Sequence, residues 1–449
     1  MQSNLVRFDL GIRAGLLLPM KNGTGEVRNQ FFIGIKDHYI AEITPFREHY
    51  ALSCDHFLDL QDQIVLPGLI NAHTHLAMSL LRGFEDDLPF KEWLFDRIFP
   101  IEAELVDAHF VKVGTRLSAL ECIRFGTTTV NDMYFFPEST AEVLDQAGMR
   151  AIISQPFIDF VMPDEKHLGV NPIPGRAIRF KNFHQKYAGH SRIQTALAPH
   201  APYTCGDDLL KQIVELSREL KVPVHMHVSE TKGEVEESLK KYGKRPVKRL
   251  HDLGILNENF FAAHMIHVDT EEARLFANSG ARVIYNPDSN LKLGSGIAPI
   301  SEFRKSKILV ALGTDGAASN NDLSMFGAMD LGTKLQKLSN QNNTAMVALD
   351  ALNLATYEGA QALGLGSKIG SIEVGKCADL ISVRMDYPHV KPLYSVLSQL
   401  VYAYQGLEVD TVICDGKILL QKGQHQTLSS ETIYQDVEKI RNQIKKTSN

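Results

Sequence analysis

The chain of 449 residues is poor in cysteine and has no surplus of basic charge. Its five cysteines are scattered and none falls in a C-x-x-C pair, which argues against a disulfide framework and against a thiolate zinc site. The formal net charge is −6, so nucleic acid is not expected as a partner. No apolar run is long enough to span a bilayer, and Arg13 interrupts the apolar stretch near the start, unlike a signal peptide. These absences predict a cytoplasmic protein without a membrane partner.

Two catalytic signatures are also missing. The sequence contains no G-K-[ST] phosphate-binding loop, and the glycine-containing stretch "LKLGSGI" is interpreted as a loop that follows a strand. The H-x-E and P-C-x-x-C segments of one class of zinc-dependent base-modifying enzymes are both absent. The sequence therefore excludes these two architectures.

A regular alternation of strand-like and helical segments begins at about residue 67. Hydrophobic residues make up 44% of the chain and charged residues 22%, as is usual for a globular protein. Eight apolar segments favour strands: "GLINAHTH", "TTTVNDMYF", "RAIISQPFID", "RIQTALAPHA", "VPVHMHVSE", "FFAAHMIHV", "ARVIYNPDS" and "ILVALGTDG". Amphipathic segments such as "DDLLKQIVELSREL" lie between them. The pattern predicts an α/β fold, a (β/α)8 TIM barrel, over residues 67–370.

Both ends of the chain contain short strands and turns instead. Residues 1–66 and 371–449 are predicted to build one small composite β-sandwich domain. Within the second segment, "VDTVICDGKILLQKGQ" predicts a hairpin that turns at Asp415 and Gly416. Residues 429–449 predict a final helix.

Polar side chains mark the carboxyl ends of the predicted barrel strands. His73 and His75 stand one residue apart in "INAHTHLAMSLLRG" and project to the same side of a strand. Further strand ends carry imidazoles and carboxylates: His200, His225, His227, Glu230, His264, His267 and Asp315. A single strand-end histidine is more often a core or rim residue, but a barrel gathers all these ends at one mouth. Because imidazole and carboxylate are common ligands of divalent cations, the sequence predicts a metal-dependent active site.

Segments along nearly the whole chain resemble one known family. They are "PGLINAHTHLAMSLLRG", "LAPHAPYTC", "HMHVSET", "NPDSNLKLGSG", "GTDGAASNND" and "GSIEVGKCADL". They resemble the amidohydrolase superfamily, and "RGFEDDLPFKEWLFDRIFPIE" resembles the substrate-facing segment of its 5′-methylthioadenosine and S-adenosylhomocysteine deaminases. The resemblance implies hydrolytic deamination of an adenine nucleoside to the inosine analogue and ammonia. A homodimer is a further expectation from the resemblance.

The resemblance also implies one divalent metal per chain, Zn²⁺ in the first place, with Fe²⁺ or Mn²⁺ as alternatives. The implied ligands are His73, His75, His227 and Asp315. The family pattern of a ligand histidine three residues before a glutamate selects His227, and His225 is interpreted as a neighbour or a core residue. The predicted fourth strand lacks the lysine of binuclear members, so a mononuclear site is expected.

Catalytic roles follow from the same resemblance. Glu230 would carry a proton from the attacking water to N1 of the purine ring, and then help ammonia to leave. Asp315 would orient that water, and His264 would hydrogen-bond it. Glu230 and Asp315 are thereby also substrate-binding residues.

Three further residues are implied to bind the substrate. Glu102 either binds ribose hydroxyls or is a solvated glutamate at the start of a helix. His200 would contact the nucleoside near its ring or sugar. Trp93, the single tryptophan, either forms an apolar wall for the base or the thioether, or packs as a lid residue.

Other functions compete with adenine-nucleoside deamination. A related amidohydrolase, such as a guanine deaminase or an s-triazine hydrolase, would share the metal ligands. An inactive scaffold of the same fold is the alternative outside the enzymes. A homocysteine tail on the nucleoside would need a cation, for which Arg150, Arg176 and Arg179 are candidates.

Overall fold

The computed structural model describes residues 7–166 and 172–447. Its strands in chain order are β1 (Phe8–Leu17), β2 (Arg28–Lys36), β3 (Tyr39–Pro45), β4 (Cys54–Pro67), β5 (Leu69–Thr74), β6 (Thr127–Met133), β7 (Arg150–Phe157), β8 (Ile193–Pro199), β9 (Val224–Val228), β10 (Phe260–His264), β11 (Arg282–Tyr285), β12 (Val310–Leu312), β13 (Leu380–Arg384), β14 (Val409–Cys414), β15 (Lys417–Gln421) and β16 (Gln424–His425).

The α-helices are α1 (Phe99–Leu105), α2 (Ala108–Arg124), α3 (Pro137–Ala147), α4 (Pro163–Lys166), α5 (Pro172–Lys186), α6 (Asp207–Leu220), α7 (Lys232–Tyr242), α8 (Pro246–Asp252), α9 (Thr270–Ser279), α10 (Pro287–Lys292), α11 (Ile300–Lys305), α12 (Met325–Ser339), α13 (Ala348–Ala355), α14 (Tyr357–Ala362), α15 (Val396–Tyr402) and α16 (Ser430–Thr447). Short 3-10 turns cover Lys21–Gly23, Glu48–Ser53, Leu76–Leu81 and Pro388–Val390, and Glu92–Ile98 forms a π-helical turn.

Strands β5 to β12 form one parallel sheet in chain order, as the alternating sequence pattern predicts. Each of the eight predicted strand segments contains one of these strands. The last strand returns to the first, because the backbone N–H of Asp315, just after β12, donates to the carbonyl oxygen of His73 in β5 at 2.9 Å. This contact closes the barrel and brings the carboxyl ends of the strands around one mouth. The predicted (β/α)8 fold is confirmed.

Amphipathic helices cover the outside of the barrel. Helix α6 has the bounds that the sequence predicts and buries five apolar side chains against the barrel: Leu209, Leu210, Ile213, Val214 and Leu216. Helix α9 begins at a capping box in which Asp269 and Glu272 each accept a hydrogen bond from the other's backbone N–H. None of the described helices combines the length and the apolar character that crossing a bilayer requires.

A second sheet joins the two ends of the chain. Its strand order is β16-β15-β14-β13-β4-β1-β2-β3, so β4 from the first segment lies beside β13 from the second. The hairpin between β14 and β15 turns where expected, at Asp415 (φ 51°) and Gly416 (φ 75°), both of which are left-handed. A β-domain built from both termini is therefore present, and its strands hydrogen-bond as one sheet. The exact boundaries, 1–66 with 371–449 around 67–370, stay a prediction.

The final helix, α16, packs against the barrel helices α1 and α2. Ile440 and Ile444 lie in one apolar cluster with Trp93, Ile98 and Ile101. The last two turns of α16 thus pack against the segment that precedes α1.

Candidate metal centre and active site

The barrel brings the histidines and the aspartate of the strand ends together. His73 and His227 lie within β5 and β9, and His264 ends β10. His75 directly follows β5, and Asp315 lies three residues after the end of β12. His264 and Asp315 both adopt left-handed backbone conformations, with φ values of 74° and 66°. Such conformations are unfavourable for residues other than glycine and occur preferentially at functional sites.

The side-chain atoms of these residues converge on one point. The Nε2 atoms of His73 and His75 lie 3.3 and 3.2 Å from Oδ1 of Asp315, and Nε2 of His227 lies 3.3 Å from Nε2 of His75. The potential ligand atoms of His73, His227, His264 and Asp315 all lie within 4.8 Å of one another. Five metal-ligating groups therefore surround one small volume.

The second ring nitrogen of each histidine has a partner outside the cluster. Nδ1 of His75 contacts the carbonyl oxygen of Met133, and Nδ1 of His227 contacts that of His200 at 2.7 Å. Nδ1 of His264 lies 2.7 Å from Oδ1 of Asn290. Because a carbonyl oxygen can only accept, these Nδ1 atoms carry the proton, and Nε2 keeps its lone pair for a metal.

His73 is held by another histidine. Its Nδ1 lies 2.8 Å from Nε2 of His225, which is fully buried behind it. His225 thus lies as the sequence suggested, next to a cluster residue, although it projects from the same strand as His227.

Two serines hold the Asp315 carboxylate in place. Ser289 and Ser319 each donate a hydroxyl hydrogen bond to Oδ2, at 2.6 and 2.8 Å. Oδ1, which faces the histidine rings, accepts from the backbone N–H of Gly316 at 2.8 Å. The serines therefore fix which oxygen the cluster receives.

The protonation of the rings suits a cation. Burial lowers the pKa of His73 to about 4 and lowers the pKa of His227 well below its usual value, so both rings are neutral at pH 7. Burial also lowers the pKa of His75, but the Asp315 carboxylate outweighs it and raises this pKa to about 9. A divalent cation at Nε2 of His75 would take the place of that proton.

The surroundings of one buried ring nitrogen indicate that the cluster suits a metal ion. Nε2 of His73 is buried and, although Oδ1 of Asp315 lies 3.3 Å away, makes no well-directed hydrogen bond to any described residue. Buried polar atoms are rarely left without a partner, and a metal would satisfy this one. The donor set of imidazole nitrogens and one carboxylate oxygen is that of zinc, and it also accommodates iron and manganese.

A pocket opens above the cluster. Its floor is polar and its walls are largely apolar, which is the usual composition of a small-molecule site. The apolar wall is formed by these side chains: Met78, Phe90, Trp93, Leu94, Ile98, Phe99, Met133, Phe135, Pro156, Ile158 and Leu293. The polar lining consists of His75, Glu102, Tyr134, His200, Tyr203, His227, Glu230, His264, Asp315 and Ser319.

Glu230 lies on the pocket floor beside the cluster. Its side chain is buried, and Oε2 lies 3.9 Å from Nε2 of His264. Burial raises the pKa of Glu230 above its usual value. A carboxyl group in this environment is suited to take up and release a proton.

Glu102 is buried in the pocket wall, so it is not the solvated glutamate of the alternative interpretation. The hydroxyl of Tyr134 donates to Oε1 of Glu102 at 2.6 Å, and burial raises the pKa of Glu102 to about 7. The Tyr134 side chain follows β6 and was not predicted as a site residue. The only signal for it in the sequence is its place at a strand end, in "TTTVNDMYF".

Trp93 and His200 both line the pocket. Trp93 belongs to the π-helical turn and contributes to the apolar wall, so it is both a wall residue and a packed residue. His200 follows β8, and its Nδ1 lies 3.0 Å from the hydroxyl of Thr204. Burial lowers the pKa of His200 to about 3, so its ring is neutral. His267, the other strand-end histidine, instead contacts the carbonyl oxygen of Ser295 with Nε2, at 2.8 Å.

The three arginines considered for a charged substrate tail are engaged elsewhere. Arg150 is buried against Asp379 of the terminal domain at 2.8 Å. Arg176 pairs with Glu165, and Arg179 pairs with Glu138 at 3.3 Å. Within residues 7–166 and 172–447, neither lysine nor arginine lines the pocket.

The fold and the site together define a barrel hydrolase whose reactive groups stand at the carboxyl ends of the strands. The model of the amidohydrolase family matches residues 64–419, and the chain belongs to this family.

Two relatives match most of the chain. The chain is 42% identical over 436 residues to a 5-methylthioadenosine/S-adenosylhomocysteine deaminase of Thermoanaerobacter pseudethanolicus, which covers 96% of this chain and 98% of that protein. It is 40% identical to a 5′-deoxyadenosine deaminase of Methanosphaera stadtmanae over 91% of this chain and 94% of that protein.

Among solved structures, an adenosine deaminase of Xanthomonas campestris with bound zinc resembles the chain with a TM-score of 0.92. The two chains are 37% identical over 98% of this chain and 99% of the other. Structures of a triazine hydrolase and a guanine deaminase, each 22% identical, share the fold alone.

Proposed function

We propose that the protein hydrolytically deaminates adenine nucleosides, with 5′-methylthioadenosine or S-adenosylhomocysteine as substrate, and releases the inosine analogue and ammonia. The observation that carries the proposal is the position of Glu230, buried beside a metal-ligating cluster on the floor of a mostly apolar pocket. The relative at 42% identity is named for these two substrates, and the relative at 40% identity is named for another adenine nucleoside, 5′-deoxyadenosine.

Four groups of the cluster are proposed to hold one divalent metal, Zn²⁺ in the first place: His73, His75, His227 and Asp315. Ligands at roughly 2.0–2.1 Å from a tetrahedral ion lie about 3.3 Å apart. Three of the six separations between these groups, His73–Asp315, His75–Asp315 and His75–His227, are 3.3, 3.2 and 3.3 Å, which supports this set. Activation of water at neutral pH is the chemistry that a divalent cation supplies at such a site.

The remaining residues of the floor handle the proton. Glu230 takes one proton from the attacking water and passes it to N1 of the adenine ring, which makes C6 electrophilic. It then takes the second proton of that water from the new C6 hydroxyl and gives it to the amino group, so that the C6–N bond breaks, ammonia leaves and C6 becomes a carbonyl. Asp315 orients the water from the side of β12. His264 is its hydrogen-bonding partner on the opposite side, since its Nε2 faces both the cluster and Glu230.

The wall of the pocket is proposed to hold the nucleoside. Glu102 accepts hydrogen bonds from the ribose hydroxyls, and Tyr134 keeps its carboxylate oriented towards them. His200 contacts the nucleoside near its ring or sugar. Trp93 lies against the base or the thioether as part of the apolar wall.

The rival functions are less well supported. The proposed proton-carrying role of Glu230 suits purine deamination, and the triazine hydrolase and the guanine deaminase are each only 22% identical to the chain. An inactive scaffold would have no reason to keep five potential ligating groups, four of them buried, together with Glu230 at one place. We further propose that the protein works in the cytoplasm, as its cysteine usage suggests, and as a homodimer, as the family resemblance suggests.

The first expected result is a metal content of one ion per chain. The cluster offers a single convergence point, and the three ligand separations fit one tetrahedral ion. Elemental analysis of the purified protein, with activity measured before and after chelation, provides the test. Two tightly held ions per chain, or full activity after complete removal of metal, would contradict the mononuclear site.

The second expected result concerns the 5′ substituent. We expect kcat/KM for 5′-methylthioadenosine to exceed that for S-adenosylhomocysteine by at least about tenfold, because a charged tail without a partner in an apolar pocket loses more than ~1.4 kcal/mol. Ammonia release and the ultraviolet shift from adenine to hypoxanthine measure both rates.

The same assay includes adenosine, 5′-deoxyadenosine, guanine and a chlorotriazine as comparison substrates. Equal rates with the two thio-nucleosides would mean that a cation reaches the tail. Turnover of guanine or the triazine alone would overturn the proposed substrate and leave the family assignment intact.

A further inference from the structure

A second buried carboxylate lies directly behind the turn that carries Glu230. Glu234 belongs to the first turn of α7 and is only 4% exposed. Its Oε1 accepts from the backbone N–H of Ser229, and its Oε2 accepts from the backbone N–H of Glu230, each at 2.8 Å. One carboxylate therefore holds two successive peptide groups in a fixed orientation.

The turn that Glu234 holds is unfavourable by itself. Ser229 adopts a left-handed conformation, with φ of 52°, although it is not glycine. On the other side of the turn, the carbonyl oxygen of Ser229 accepts from the backbone N–H groups of Ile266 and His267, at 3.0 and 2.9 Å. The conformation persists because both sides of it are anchored.

Helix capping does not account for these contacts. The N-cap of α7 is Thr231, whose hydroxyl oxygen accepts from the backbone N–H of Glu234 at 3.1 Å. The Glu234 side chain reaches past this cap to the two residues that precede it. It thus serves the strand-end turn in addition to the helix start.

We propose that Glu234 is a positioning residue, which acts through Glu230 by fixing the backbone from which the proton-carrying side chain projects. The inference rests on the proposed function of Glu230. A proton carrier must lie within hydrogen-bond reach of both the water and the ring nitrogen. A displacement of about 1 Å can cost roughly 10²-fold in rate.

The test begins with Glu234→Gln. The glutamine amide has one oxygen, so it can accept from only one of the two N–H groups and presents its NH₂ group to the other. We expect kcat to fall by roughly 10–100-fold, while KM and bound metal stay near the wild-type values. Glu236→Gln, at an exposed position of the same helix, is the matched control and should leave kcat unchanged.

A double-mutant cycle with Glu230→Gln separates positioning from a general structural role. If Glu234 acts through Glu230, the double variant is no slower than Glu230→Gln alone. A purely structural role instead multiplies the two losses and lowers the midpoint of urea unfolding. Glu234→Asp keeps the carboxylate on a side chain that is one methylene shorter. If Glu234→Gln does not fold, Glu234→Asp takes its place in the double-mutant cycle.

The outcomes also separate this inference from the proposed function. Equal losses in both backgrounds, or a Glu234→Gln variant with wild-type kcat, would overturn the positioning role while wild-type deamination stands. Failure of the wild-type protein to release ammonia from any adenine nucleoside would overturn the proposed function itself. The cycle supports the inference only when Glu234→Gln causes no further fall in kcat in a protein that already carries Glu230→Gln.

Discussion

Replacing Glu230 by glutamine is expected to lower kcat by roughly 10²–10⁴-fold, the usual contribution of general acid–base catalysis. Glutamine keeps the size and the hydrogen-bonding shape of the side chain but can no longer carry the proton. Bound metal should stay at the wild-type level, because Glu230 is beside the cluster and is not among the proposed ligands. Steady-state rates and elemental analysis on the same preparation provide the measurement.

Glu237→Gln is a suitable control for this variant, since Glu237 is exposed on α7, seven residues further along the chain. It should behave as wild type. If Glu230→Gln retained kcat within a few-fold of the wild-type value, the proton would have to travel by another group, and the proposed role of Glu230 would be wrong.

Asp315→Asn should reduce both metal binding and turnover, and its effect on metal should be the larger of the two variants. Oδ1 of Asp315 lies 3.2–3.3 Å from two histidine rings, and an amide brings no negative charge to that position. Loss of a partner outside the ligand set already costs roughly 10–100-fold in metal affinity, so loss of a ligand should cost more. Competition with a chelator of known affinity measures the change.

The matched control is Asp330→Asn, an aspartate on α12 that pairs with Lys334. It should keep full metal content. An Asp315→Asn protein that retained both its metal and its turnover would remove Asp315 from the proposed ligand set and leave His264 as the candidate for the fourth position.

The periodicity of the sequence was enough to predict the barrel. Most strands of the barrel contain a short apolar run, and such runs stand out from the amphipathic helices between them. The closure of the barrel then determines where the strand ends lie, so the meeting of His73, His227 and Asp315 could be expected before any contact was known.

The contacts that surround the cluster could not be predicted in this way. His225 and His227 look alike in the sequence, since both project from the same side of β9, and only the family resemblance separated them. The contact of His225 with His73 joins residues 152 positions apart, and nothing in either local segment indicates it. Ser319 and Glu234 were missed for a related reason, because a hydroxyl or a carboxylate near a turn usually points to solvent.

The three arginines show that a candidate residue can be easy to identify in the sequence while its partner cannot be identified there. A cation is conspicuous in a sequence, but its partner is not. Arg150 forms an ion pair with Asp379, which lies 229 residues further along the chain. This ion pair contributes to the junction between the barrel and the terminal sheet. Long-range ion pairs of this kind cannot be read from local pattern.

The packing of α16 against the apolar wall of the pocket has a consequence for folding during translation. Ile440 and Ile444 complete the apolar cluster that contains Trp93 and Ile98, yet they follow the last barrel strand by more than a hundred residues along the chain. The barrel strands emerge from the ribosome well before them, and folding during synthesis proceeds from the N-terminal end. The pocket wall therefore reaches its final support only after residues 440–444 have been synthesised, so a nascent chain that stalls before residue 440 would have its proposed metal ligands in place and an unsupported nucleoside pocket.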